Sequence, residues 1–277
     1  MPTDAADARP DWWRRLARRA DAAPLRPRAV LRLGDAAVGS IEPALASSLR
    51  EAGLPLVARA GEEVIERDFD AALEAVARWL HDQRLTARWR GERLSVCGAG
   101  DAVPLARVER SAARPLGIAT RAVHLVATAP DGHVWVQQRA FDKATDPGCW
   151  DTLVGGLVAA DEANAEALER ETWEEAGLRL ADLRALRRAD RITVRRPVSE
   201  GYMVEHIEVF EADLPVGLAP VNQDGEVACF ACVAPGDLLA RLAADEFTLE
   251  AALILAASLQ RRGLVRAGSD REPRTRS

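Results

Sequence analysis

Three glutamates carry the clearest chemical signal in the chain: Glu171, Glu174 and Glu175, in the run Arg170-Glu-Thr-Trp-Glu-Glu-Ala-Gly177. On a helix turning about 100° per residue, positions i, i+3 and i+4 fall within an arc of about 100°, so the carboxylates share one face. Three like charges so placed repel one another, and water screens them only partly. A hard divalent cation, Mg²⁺ or Mn²⁺, relieves that repulsion. Such an ion can bridge diphosphate oxygens and activate a water for in-line attack. Arg170, four residues before Glu174, is placed to hold that carboxylate. Ala165, Leu168, Thr172 and Ala176 form an apolar stripe that would seat the helix on a sheet. Asp161 reads as the N-cap and Gly177 as the left-handed exit. The competing reading of any Glu-rich helix is a solvated acidic face.

The wider spacing decides between these readings. Gly156, Glu162, Arg170, Glu171, Glu174, Glu175 and Gly177 match the seven fixed positions of G-x5-E-x7-R-E-U-x-E-E-x-G-U, where U is bulky and apolar. At ~7% usage per position, chance agreement is on the order of one in 10⁸ per window. Thr172 is the one soft departure. This pattern resembles the Nudix box, and the resemblance implies an α+β fold, a Nudix α/β/α sandwich on a mixed sheet. It further implies that Glu171, Glu174 and Glu175, with the Gly156 carbonyl, ligate Mg²⁺ or Mn²⁺, while Glu162, Arg170 and Gly177 shape the loop and helix. Glu174 is also a candidate catalytic base. Glu226, in Asn222-Gln-Asp-Gly-Glu226, is a second candidate base or ligand, against the reading of a surface turn residue.

A second resemblance covers more of the chain. The stretches Gly117-Ile118 through His124, Arg139-x3-Lys143-x-Thr-Asp-Pro-Gly148, Asp151-x3-Gly155-Gly156, Glu200-Gly-Tyr202 and Asn222 through Glu226 look like the branch related to the N-terminal part of fungal thiamine pyrophosphokinase. That likeness implies hydrolysis of thiamine diphosphate, and of damaged oxo and oxy forms, to the monophosphates. Arg139 and Lys143 can hold phosphate oxygens, the first through a bidentate fork and the second as a point charge. Trp150 can stack on a heteroaromatic ring. The alternatives are solvated cations and core filling. His124, in an apolar run, reads as a satisfied core histidine.

The elements that must position these residues follow from periodicity. Residues 118–127 and 133–139 are β-rich runs joined by Pro130-Asp131-Gly132, a hairpin turn. A short strand at 153–154 leads to a helix over 163–176. Further strands are expected at 192–195, 203–210 and 226–233, with a helix over 249–260. Before them lie an amphipathic helix (11–23), strands at 29–33 and 56–59, helices at 43–52 and 70–83, and a hairpin of 88–90 with 94–96. The expected organisation is a small α+β extension over 1–113, the catalytic domain over 114–265, and a disordered basic tail over 266–277.

The chain has 277 residues and net charge -6, from 37 basic against 43 acidic side chains. That balance argues against nucleic acid or an anionic membrane as the main partner, but a metal can still recruit an anionic small molecule. The expected partner is an organic diphosphate, for a cytoplasmic monomer or homodimer, since neither a transmembrane run nor a signal h-region is seen. Cys229 and Cys232 form a lone C-x-x-C on an expected strand, which points them to opposite faces, so they read as small buried hydrophobes. Rival functions are a nucleotide-type Nudix pyrophosphatase acting on ADP-ribose or NADH, a non-catalytic Nudix ligand sensor, and isopentenyl-diphosphate isomerase. The isomerase needs a catalytic Cys near residues 152–156, and none is there.

Overall fold

The computed structural model describes residues 9–86, 88–98 and 103–265. The expected basic tail lies outside them. The chain opens with helix α1 (Asp11–Ala20), then strands β1 (Ala29–Leu33) and β2 (Ala36–Ile41), helix α2 (Pro43–Glu51), strands β3 (Val57–Arg59) and β4 (Glu62–Ile65), and helix α3 (Phe69–Asp82). The first sheet has the order β2-β1-β4-β3, with β1 and β4 parallel. Leu73, Val76, Ala77 and Leu80 recur at helical spacing on α3 and are all buried in one cluster with Leu31, Leu33 and Ile41. The expected hairpin of residues 88–90 with 94–96 does not form. Instead β5 (Arg93–Val96) pairs antiparallel with β6 (Ala106–Glu109), followed by the short helix α4 (Arg110–Ala113). The partner strand lies further along the chain, so local pattern could not identify it.

The second part is an α/β/α sandwich. Its strands are β7 (Ala119–Thr128), β8 (Val134–Arg139), β9 (Trp150–Asp151), β10 (Val154–Leu157), β11 (Arg184–Val198), β12 (Gly201–Asp213) and β13 (Val227–Val233). The sheet runs β11-β12-β7-β8-β13, with β10 on β7 and β9 on β8. It is mixed, because β12 lies parallel to β7 while the other pairings are antiparallel. Strand β7 shows how a period of two builds two layers. Val123, Leu125 and Ala127 join the cluster beneath helix α5 (Asn164–Ala176), with Leu168 and Ala176. Ala122 and Val126 join the opposite cluster, with Ile254 and Leu255 of helix α7 (Leu249–Arg261). Helix α6 (Pro235–Ala243), absent from the sequence reading, precedes α7 and buries Leu238 and Leu242.

Two corrections concern local packing. Ala165 is exposed, and Ala167 takes its place in the buried stripe of α5. Cys229 and Cys232 are exposed free thiols, because β13 is the edge strand and is covered less completely than the centre of the sheet.

Space does not follow chain order. Helix α1 packs on α7, with Leu16 and Ala20 in the same cluster as Val194 and Ile207. The Ala22 N–H donates to the Arg195 carbonyl at 2.9 Å, and the Tyr202 hydroxyl donates to the Ala22 carbonyl at 3.0 Å. The β5–β6 pair is tied to the second part near the start of α5. Arg107 forms a bidentate pair with Asp161 at 2.7 and 2.8 Å, and the Ala160 N–H donates to the Arg93 carbonyl at 2.7 Å. Asp161 therefore does not cap the helix as expected. It adopts φ 65° and faces Arg107, while Ala163 is the N-cap residue and its N–H is bound by Glu166 at 2.8 Å.

Candidate active site

The loop from Gly155 to Ala163 and the helix that follows are braced by one guanidinium. Arg170 Nε and Nη2 donate to the two oxygens of Glu162 at 2.9 and 3.0 Å, and Nη2 also reaches the Leu157 carbonyl at 3.1 Å. Glu162 in turn accepts the Ala159 N–H at 2.9 Å. Arg170 Nη1 donates to Glu171 at 2.7 Å and to Glu174 at 3.2 Å. One cation thus serves three carboxylates. Its contact drives Glu162 below the ordinary carboxylate range, although burial opposes this.

Glu175 has no such partner. It is 2% exposed, and its Oε2 accepts the Gln137 side-chain amide and the Gly155 N–H, both at 2.9 Å. Burial, and after it the neighbouring Glu171 charge, push its carboxyl up to about 8. Burial also raises Glu171, against the pull of Arg170. Two carboxylates withdrawn from water with too little positive charge are costly, which is the condition a bound cation relieves. Gly156 meets the same helix face. A Cβ there would fall inside the Glu171 carboxyl group, so only glycine lets the loop backbone approach so closely. Gly177 ends the helix at φ 63°, a left-handed exit. Among the described residues no three acidic, His or Cys side chains already converge on one point. The Glu174 side chain is 43% exposed and can turn toward its neighbours.

A cavity of about 650 Å³ opens beside this helix, lined by Gly155, Gly156, Glu171, His124, Arg139, Lys143 and Glu226 among others. A family model described as the NUDIX domain matches residues 119–253. Residues 119–253 form a Nudix domain. Over 81 residues the chain is 38% identical to an uncharacterized Nudix hydrolase of Pseudomonas aeruginosa, covering 29% of this chain and 48% of that protein. It is 29% identical over 212 residues to the chloroplastic Nudix hydrolase 20 of Arabidopsis thaliana, covering 73% of this chain and 55% of that protein. The chain spans about half the length of these curated relatives. A crystal structure of a Deinococcus radiodurans protein superposes with a TM-score of 0.46 at 24% identity, over 57% of this chain and 92% of that one.

Around the Nudix box the structure brings Lys143 and Glu226 together as a direct ion pair across the cavity mouth. A backbone bond from the Ala140 N–H to the Glu226 carbonyl, 2.9 Å, joins their loops. Burial lowers the Lys143 ammonium below its usual range. Arg139 lines the cavity while anchoring its loop, donating to the Thr145 carbonyl at 3.0 Å and to Asp151 at 3.3 Å. Trp150 needs a correction. It does not line the cavity, and its ring lies under the Arg241 guanidinium at 4.1 Å, packed with the α7 cluster. Strand alternation explains this, since Asp151 next to it faces the cavity.

His124 is satisfied, as read from sequence, and it also lines the cavity. The Thr152 hydroxyl donates to the Val154 carbonyl at 2.8 Å, so the His124 Nδ1–H must be the donor in its 2.8 Å contact with Thr152. Nε2 is then the free acceptor, and burial lowers the pKa of the ring. Residues that sequence reasoning missed include Gln137, His124 in its cavity role, and Glu205. Gln137 carried no signal of its own, since it is one of three successive polar residues, Gln137, Gln138 and Arg139, that end its strand.

Proposed function

We propose that the chain is a divalent-metal-dependent Nudix hydrolase that cleaves thiamine diphosphate-like compounds, including damaged oxo and oxy forms, to the monophosphate and inorganic phosphate. The observation that carries the chemistry is the electrostatic shortfall at the box, where Arg170 is shared by Glu162, Glu171 and Glu174 while Glu175 is buried without a cation. The donor set, carboxylates and a glycine carbonyl, is all hard oxygen and fits Mg²⁺ or Mn²⁺. Glu171, Glu174, Glu175 and the Gly156 carbonyl would hold it. Bound there, such a cation would supply positive charge for the diphosphate and Lewis acidity toward water.

Water adds to phosphorus, the P–O–P bond breaks, and the leaving phosphate takes the electron pair. Glu174 or Glu226 accepts the water proton, Glu226 being held at the cavity mouth by Lys143. Lys143 and Arg139 balance phosphate charge on the side away from the box. The thiamine-like substrate rests on the sequence resemblance, supported by a cavity with both acidic and basic walls. No cysteine lines the cavity among the described residues, which disfavours the isomerase reading. The expected organisation, an extension over 1–113 and a catalytic domain over 114–265, belongs to the same proposal. So do the absence of nucleic-acid and membrane partners and a cytoplasmic monomer or homodimer. No described helix is long and apolar enough to cross a membrane.

The test is Mg²⁺-dependent phosphate release from thiamine diphosphate, oxothiamine diphosphate, ADP-ribose and NADH, with Glu174→Gln as control. Leading turnover of the thiamine compounds, lost by about 10³-fold in the variant, is the expected result. If ADP-ribose or NADH leads, the hydrolase stands and the thiamine assignment falls.

A further inference from the structure

Off the main cavity runs a smaller recess of about 90 Å³, between α4 with β5 on one side and the β7–β12 face on the other. Leu94, Ile118, Leu157 and Met203 give it apolar walls. Four arginines, Arg88, Arg90, Arg110 and Arg114, also line it, and two other polar groups stand out. The Ser111 hydroxyl is buried and has no hydrogen-bond partner among the described residues. The Glu205 carboxyl accepts a hydrogen bond from the Thr120 hydroxyl at 3.0 Å and pairs with no cation among the described residues. The nearby Arg114 pairs with Glu200 instead, at 3.6 Å.

An unpartnered buried hydroxyl costs stability, and natural structures keep one mainly where something else uses it. A carboxyl withdrawn from water costs more, and burial followed by the Glu250 charge raises the pKa of this one. Apolar walls with convergent polar groups, and guanidinium planes able to stack, suit a flat organic ring. The recess is continuous with the main cavity, since Leu157, Met203 and Glu205 line both. Leu157 directly follows Gly156, so the recess adjoins the loop that carries the box glycine.

We propose that this recess binds the organic half of the substrate, a nitrogen heterocycle whose amino group and adjacent ring nitrogen are read by Glu205 and the Ser111 hydroxyl. The proposal rests on the diphosphate-hydrolase reading of the neighbouring carboxylates. It makes residues before 114 part of the specificity site, since Ser111 and Leu94 come from that side. The volume admits one ring; a second ring would have to lie in the main cavity.

The experiment is calorimetric binding in EDTA, with no turnover and no metal, using thiamine monophosphate, AMP and ring-free glycerol phosphate. The wild type is expected to bind a heterocyclic monophosphate about tenfold or more tightly than glycerol phosphate. Ser111→Ala is expected to weaken heterocycle binding by roughly three- to tenfold while leaving the melting temperature unchanged or higher, because the lost hydroxyl had no partner to lose. Glu205→Gln is expected to weaken it by about tenfold or more and to leave glycerol phosphate unaffected. Whichever of thiamine monophosphate and AMP binds more tightly identifies the ring. If ring and ring-free ligands bind alike, or Ser111→Ala leaves heterocycle affinity unchanged, the inference is overturned. Should Glu205→Gln not fold, Ser111→Ala decides alone. Failure of the hydrolase reading shows separately, as no Mg²⁺-dependent phosphate release from any diphosphate.

Discussion

Two arginine–carboxylate networks lie on opposite faces of the same sheet, and they differ in how their charges balance. Around Glu211, on β12, Arg261 donates at 2.7 Å, Ser258 donates at 2.8 Å and Arg187 adds a further contact, while Arg261 also holds Asp190 at 2.7 Å. Burial opposes the charge on Glu211, yet these bonds hold its pKa below the ordinary range. Around Arg170 one guanidinium is divided among three carboxylates, and Glu175 has none. There the buried pKa values rise instead of falling. The first network is complete within the protein and belongs to stability. The second is short of positive charge, and perturbed carboxylates of that kind cluster at functional sites.

The largest effect expected from this contrast is on activity. Glu175→Gln and Glu174→Gln should each lower phosphate release by about 10³-fold, whereas Glu211→Gln should keep turnover within about twofold. Loss of activity in the Glu211 variant without unfolding would erase the distinction. Next comes metal-linked stability. Saturating Mg²⁺ or Mn²⁺ at about 100 times its Kd should stabilise the wild type by about 2.7 kcal/mol in a thermal melt, and this gain should be much reduced in Glu175→Gln. A gain retained in full would move the cation elsewhere.

Slightly smaller is the cost of breaking the balanced network. Glu211→Gln leaves Arg261 with weaker partners and should destabilise by about 2 kcal/mol near neutral pH. The two networks also respond to pH with opposite signs. Glu211 has a depressed folded pKa, so its contribution is present above the ordinary 4.5 and is lost as pH falls through the folded value. Glu175 in the metal-free protein has a raised pKa, so its contribution is full below 4.5 and is lost as pH rises through about 8. In EDTA, Glu175→Gln should therefore match the wild type at about pH 5 and melt higher at about pH 9, a crossing that chemical denaturation at the two pH values would check. The smallest effect is that of Trp150→Phe. It should cost about 0.5–1 kcal/mol through its contact with Arg241 and leave KM for ring-bearing substrates unchanged.

The sequence determined the glutamate-bearing helix α5. Glu171, Glu174 and Glu175 share a face because the helical repeat alone requires it, and Gly177 ends the helix at the residue where a left-handed exit was read. The β7–β8 hairpin was equally legible, since its alternation and its Pro-Asp-Gly turn are local signals. Tertiary structure decided everything that depends on chain segments far apart in sequence. It gave β5 the strand β6 as partner, set Asp161 against Arg107, turned Trp150 away from the cavity, and brought Ser111 and Glu205 into one recess. Periodicity within a segment says which side of that segment is apolar, but not which other segment covers it. Local backbone geometry therefore made the box carboxylates readable in one dimension, while the recess beside them exists only where two separate sheets meet.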